Sequence, residues 1–201
     1  MNKEIFKPLL PPNPVILDIG SFDGKDADEL SRMFDCDVHC FEMDADNCSK
    51  IMGIGNNRLK VWNLVVGSKI GSIRYNHSGN HPQSSSIKEP LMHTVIFPGV
   101  KFDDIKDSYS ITLDSWYRPS PSDTIDLIWC DVNGAEDEFI KGATKTLKHT
   151  RYLFIEFEHK ELFEGALNRE QMIKALPDFE CIGEYNFHGS YGNLLFKNKN
   201  L

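Results

Sequence analysis

The feature that most narrows the possible folds is a set of short apolar runs that are continuous instead of alternating. Residues 15–19, 38–41, 59–66, 125–130 and 152–157 each read as a strand buried on both faces. Helical patterns separate them. Residues 25–34 place Ala27, Leu30 and Met33/Phe34 on one face, and after Asp131 a stripe of Ala135, Phe139, Ile140, Ala143 and Leu147 predicts a second helix. Glu136 and Asp137 would sit near its positive N-terminus. Residues 71–75 read as a hairpin arm of the third strand, and 181–197 as a closing pair of strands. The alternation predicts an α/β fold: a mostly parallel sheet with helices on both faces. Ligands of such sheets bind beyond the carboxyl ends of the strands. Three runs end there in polar chemistry, at Asp18-Ile19-Gly20, at Glu42 and at Asp131.

The 201 residues suit one domain spanning 1–201. With 22 basic and 30 acidic side chains the net charge is −8, which argues against nucleic acid or an anionic membrane as partner. Prolines 8, 11, 12 and 14 interrupt the first residues before any signal-like or membrane-spanning run can grow. Five cysteines (36, 40, 48, 130 and 181) do not form a disulfide framework, and they read as reduced thiols of a cytoplasmic protein. Cys36 and Cys40 are spaced C-x3-C, but no second pair follows to complete a zinc site. Residues 76–107 lack periodicity and are rich in turn formers, which suggests a lid or substrate loop. Within it, His77, His81, Gln83 and Ser84, Ser85 and Ser86 could hydrogen-bond a polyol.

The strand-to-helix turn Asp18-Ile-Gly20-Ser21-Phe22-Asp23-Gly24 carries the first specific chemistry. A dinucleotide fingerprint starting at Gly20 needs glycines at 22 and 25, where this chain has Phe22 and Lys25. Asp18 and Asp23 would repel a diphosphate and suit a cationic ligand, such as the amino and sulfonium groups of S-adenosylmethionine. Glu42, 22 residues beyond Gly20 at the end of the second strand, is placed to accept hydrogen bonds from ribose hydroxyls.

These stretches resemble the FkbM family of class I, S-adenosylmethionine-dependent methyltransferases. The resemblance rests on VILDIGSFDG (15–24), VHCFEMD (38–44), ITLDSW (111–116), DLIWCDVNGAEDEFIKGATKTL (126–147) and YLFIEFEH (152–159), in family order. It implies a Rossmann-like, seven-stranded sheet whose last strand runs antiparallel, and methyl transfer to a hydroxyl of a sugar, glycan or similar small molecule. It also implies S-adenosylmethionine held by Asp18, Gly20, Ser21, Asp23, Glu42 and Asp131, with Gly67 and Ser68 beside the adenine. Two positions depart from the family pattern: Trp129 stands where Lys is usual, and Asn133 where Glu is usual.

Methyl transfer from sulfonium to oxygen is an in-line displacement that gains from positioning and from a base or metal at the hydroxyl. The candidates are Asp131, Glu156 and His159, with His81 and Ser85 as acceptor contacts. The trio could also take a divalent cation, though its spacing matches no diagnostic motif. Two competing readings are a nicotinamide-dependent dehydrogenase, disfavoured by the missing glycines, and a catalytically silent domain that binds cofactor or glycan.

Overall fold

The computed structural model describes residues 2–118 and 123–201. A 3-10 turn at Lys3–Phe6 leads into β1 (Ile16–Ile19), α1 (Lys25–Phe34), β2 (Val38–Phe41) and α2 (Ala45–Gly53). Next come β3 (Leu59–Trp62), β4 (Val65–Val66), β5 (Gly71–His77), α3 (His93–Ile96), β6 (Asp104–Ile111) and α4 (Leu113–Trp116). The chain ends with β7 (Ile125–Cys130), α5 (Glu136–Gly142), β8 (Thr150–Glu158), α6 (Arg169–Ala175), β9 (Phe179–Tyr185) and β10 (Tyr191–Asn198).

Seven strands form one sheet in the order β3-β2-β1-β7-β8-β10-β9. β1 runs parallel to β2 and β7, and β7 parallel to β8, while β10 lies antiparallel between β8 and β9. The strand order therefore reverses between β1 and β7, the switch point where such sheets open a crevice. Successive residues face opposite sides of the sheet. Leu17, Ile19, Ile128, Cys130 and Ile155 enter a core with Phe139 and Ala143. Ile16, Leu127, Trp129 and Phe154 enter the other, with Ala27, Leu30 and Phe6. All five cysteines are free thiols, four of them buried.

Several parts of the chain depart from the sequence expectation. The run 59–66 is two strands, because Asn63 leaves the sheet to donate through Nδ2 to the carbonyls of Glu42 (2.9 Å) and Met43 (3.0 Å). Its second half, β4, joins β6 and β5 in a separate three-stranded sheet. Residues 71–77 are thus no arm of the third strand but pair antiparallel with β6. The expected loop 76–107 is correspondingly shorter, since its two ends lie in β5 and β6. Helix α2 was not anticipated. Asp44 caps it, its Oδ1 accepting from the backbone N–H groups of Asp46 (2.8 Å) and Asn47 (3.2 Å).

Candidate active site

At the switch point the backbones of β1 and β7 nearly touch. Gly20 has φ +86°, and a Cβ there would lie 1.8 Å from the Asp131 carbonyl oxygen, so only glycine fits. Its N–H and that of Ser21 donate to the Phe41 carbonyl (2.9 and 3.0 Å), which ties the turn to β2. Beneath the turn the Asp18 carboxyl is buried, and its Oδ2 has no hydrogen-bond partner. Burial, reinforced by the charge of Asp26, pushes Asp18 up to about 8. An unpaired buried carboxyl oxygen is costly unless something cationic or donating fills its place.

Glu42 closes the other side. Its Oε2 accepts from Phe22 N–H (2.8 Å), and its Oε1 from Asp44 N–H (2.8 Å) and Asn47 Nδ2 (3.4 Å). Burial nevertheless holds its pKa above the usual range. Next to it, Asp44 Oδ2 accepts from Tyr75 OH and Lys106 Nζ, both at 2.8 Å. Burial pushes Asp44 up, but these donors outweigh it and bring the group down to about 2. The β2–α2 loop is thereby anchored to the small sheet.

Between these elements lies a cavity of about 170 Å³. Asp18, Gly20, Ser21, Asp23, Glu42 and Asp131 all line it, so six of the seven expected donor-binding residues meet in one place. Gly67 does not. The crossing of β4 into the small sheet carries it past the cavity, where its N–H donates to Ile111 (2.9 Å) and it borders a separate depression with Ser68. Leu64, Val65 and Val66 form the apolar wall instead.

The three catalytic candidates separate. Asp131 lines the cavity, and burial together with the Asp26 charge raises it to about 6. Glu156 follows the Cys130–Ile155 pair in register, next to Asp131 on the same side of the sheet, but it is buried and does not line the cavity. Burial, then Asp131 and the neighbouring acids, pushes it well above the usual range. His159 lies past the end of β8, its ring packed edge-on against Phe157 and Phe187 and its backbone N–H donating to the Ser190 carbonyl (2.7 Å). Among the described residues no three His, Cys, Asp or Glu side chains are arranged to hold a metal ion, so the trio does not form such a site. Two further acids are not among the site candidates, the sequence marking Glu136 only as a helix N-terminal charge. Glu136 and Glu158 are buried, each with one unpartnered carboxyl oxygen, and burial first of all raises them to about 8 and about 7. The only signal for Glu158 was a second glutamate two residues after Glu156, facing the same side.

The segment 82–87 roofs the cavity with Pro82, Gln83, Ser85 and Ile87. Asn133, at φ +49°, fastens it. Its Nδ2 donates to the carbonyls of Gln83 (2.8 Å) and Ser85 (3.3 Å), and its own carbonyl accepts from Ser86 Oγ (2.6 Å). Glutamate could supply no donor to those carbonyls, which accounts for the departure at this position. Ser85 lines the cavity, but His81 turns away to Ser84 Oγ (2.9 Å) and Gln83 Nε2 (2.7 Å). Trp129 packs on Phe154 at 4.4 Å between ring centres, so its replacement of lysine serves the core while its edge borders the cavity.

Comparison with known proteins agrees with this geometry. Residues 18–185 match the methyltransferase FkbM domain. The 2-O-methyltransferase NoeI of Sinorhizobium fredii is 32% identical over 211 residues, covering all of this chain and 86% of that protein. Among solved structures, a SAM-dependent methyltransferase from Aquifex aeolicus superposes with TM-score 0.51 at 14% identity, over 96% of this chain and 87% of the other. Magnesium protoporphyrin IX methyltransferase from Synechocystis, solved with bound SAM, gives 0.51 at 10% identity, over 94% and 71%. At these identities the two structures speak for the fold.

Proposed function

The chain belongs to the FkbM methyltransferase family, and from that premise we propose that it moves a methyl group from S-adenosylmethionine to a hydroxyl of a sugar or glycan. The observation that carries this reading is the meeting of Asp18, Gly20, Ser21, Asp23, Glu42 and Asp131 around one cavity at the switch point. These residues fit the donor. The unpartnered Asp18 Oδ2 offers an acceptor to an ammonium group, the acidic turn favours positive charge, and Glu42 is placed for vicinal hydroxyls. The apolar wall of Leu64, Val65 and Val66 suits a flat heterocycle.

The bound donor supplies an electrophilic methyl on a cationic sulfur. The protein's share is to align the acceptor, exclude water and receive a proton. Asp131 is the group placed to orient or deprotonate the acceptor hydroxyl, because it alone of the three candidates reaches the cavity. Buried beside it, Glu156 is itself pushed up by burial and by the charge of Asp131. Ser85 and the roof fastened by Asn133 form the acceptor side. The hydroxyl specificity and the sugar draw on the relative's 2-O-methyltransferase name together with the polar roof.

The test has two stages. Calorimetry should show that the chain binds S-adenosylmethionine and S-adenosylhomocysteine. A radiolabelled donor offered with a library of sugars and glycans should then yield a labelled methyl ether. Donor binding without transfer to any hydroxyl compound would favour the silent binding domain, and absence of donor binding would end the methyltransferase reading.

A further inference from the structure

Lysine is among the residues least often fully buried, yet the side chain of Lys3 is only 2% exposed. Its Nζ lies 2.5 Å from Asp26 Oδ1 and 2.6 Å from Glu29 Oε2, and 5.4 Å from the centre of the Trp129 ring. Phe6 holds the segment in place, meeting Phe154 edge-on at 5.8 Å and Trp129 at 6.1 Å. Burial alone would lower the lysine's pKa, but the two carboxylates outweigh it and keep the ammonium charged. The partners of this cation matter for the site. Asp26 and Trp129 both line the cavity, and the charge of Asp26 reaches Asp18 and Asp131.

We propose that Lys3 is a positioning residue for the donor site, setting through Asp26 how strongly the cavity prefers a sulfonium over a neutral thioether. The inference rests on the donor-binding reading above. The donor and its demethylated product differ by one methyl group and one positive charge on sulfur, so the field at the cavity discriminates between them. With Lys3 in place, the Asp26 carboxylate at the cavity wall is partly offset by an ammonium 2.5 Å away that it shares with Glu29. Without it, Asp26 would act on the cavity as an uncompensated anion. Methyl transfer removes the positive charge from sulfur, so a site that attracted that charge too strongly would stabilise the ground state more than the transition state. The Lys3–Asp26–Glu29 triad moderates that attraction. It also makes the segment before β1 part of the active site's electrostatics, although no residue of that segment lines the cavity.

The experiment measures the affinity of S-adenosylmethionine relative to S-adenosylhomocysteine by calorimetry in the full chain and in Lys3→Met, Lys3→Arg and Glu29→Gln. Lys3→Met should raise the donor-to-product affinity ratio by about 3–10-fold, as expected for one unit charge a short distance away in partly desolvated surroundings. Lys3→Arg should restore the wild-type ratio, and about 0.5 M salt should shrink the effect. Glu29→Gln, at a half-exposed position, should lower the ratio because Lys3 loses one of its two anions. If Lys3→Met does not fold, Glu29→Gln decides. A ratio identical to wild type in Lys3→Met, or in Glu29→Gln where that variant stands in, overturns the role of Lys3. A wild-type chain that bound neither compound would overturn the donor reading as well, so the two failures are distinguishable.

Discussion

Asp18 and Asp131 are two carboxyl groups at the ends of neighbouring strands, and burial pushes them apart in titration, to about 8 and about 6. At pH 7 the free protein therefore holds Asp131 mainly ionised and Asp18 mainly protonated. That division suits a base beside a group that ionises only when a cation arrives. A cationic donor favours the charged form of Asp18, so its binding should release a proton. Donor affinity should accordingly rise between pH 6 and pH 8, checked by calorimetry in buffers of different ionisation enthalpy. Asp131→Asn should lower turnover by about 10²–10⁴-fold, the range of a positioned base, a loss well beyond any fall in donor affinity. The rise of the wild-type rate through about pH 6 should be absent from that variant. Glu42 plays a different part, since its two oxygens already accept from Phe22 and Asp44. Glu42→Gln should cost about 1–3 kcal/mol of donor binding, the usual range for a charged hydrogen-bonding partner. A calorimetric loss confined to S-adenosylmethionine and absent for S-adenosylhomocysteine would contradict the ribose role, because both carry the ribose.

At the level of elements the roof over the cavity is bridged by backbone hydrogen bonds between Ser86 and Asn76 of β5 and tied to the β7–α5 turn by Asn133. Asn133 spans two carbonyls of the segment 82–87, and Lys88 Nζ pairs with Asp137 Oδ1 at 2.9 Å on the same edge. Asn133→Ala should loosen this fastening, giving faster amide exchange at residues 84–86 and an acceptor KM raised about 10-fold, in the manner of lids. Donor affinity should hold within about twofold, since the Gly20 turn and Glu42 do not depend on the roof. The elements differ in how far the sequence discloses them. β1, β2, β7 and β8 are legible because a strand covered on both faces must be apolar throughout, and the exact span of α1 follows from its apolar stripe. β6 is not, because DIKDSYSI is half-exposed and polar and only its pairing identifies it as a strand, while β5 reads as a strand at 71–75 but pairs with β6 and not with β3. The break at Asn63 is equally hidden, because its cause is a hydrogen bond to β2 across the sheet. The site divides along the same line. Residues of the Gly20 turn declare themselves by local chemistry, whereas the failure of Glu156, His159 and His81 to line the cavity follows from tertiary packing and loop path.

Considered whole, the molecule keeps Asp18, Asp131, Glu136, Glu156 and Glu158 near the carboxyl end of its sheet, every one with its pKa raised chiefly by burial. Each such acid binds more protons in the folded than in the unfolded chain at intermediate pH. Its contribution to stability is then complete below the unfolded value of about 4 and disappears as pH rises through the folded value, which is about 6 to 8 for Asp18, Asp131, Glu136 and Glu158. Asp44, Asp114 and Asp137 have the opposite sign. Their contribution is present above about pH 4 and lost in acid, so it does not change across the range where the raised acids titrate. The free protein should therefore be most stable near pH 4–5 and weaken steadily toward pH 8. A loss of about 2 kcal/mol over that interval corresponds to a fall in Tm of roughly 4–8 °C for a chain of this size. Glu136→Gln should flatten the slope and raise Tm at pH 8, because its unpartnered Oε2 is no longer forced to carry charge in the interior. Saturating S-adenosylmethionine should flatten it too, by supplying a cation to Asp18 and Asp131 that the free protein lacks. Thermal scans from pH 5 to pH 8, with and without the donor, measure both effects. A Tm that rose toward pH 8 would show that these carboxyl groups are ionised at little cost, and the case for a cavity built to receive positive charge would lose its electrostatic basis.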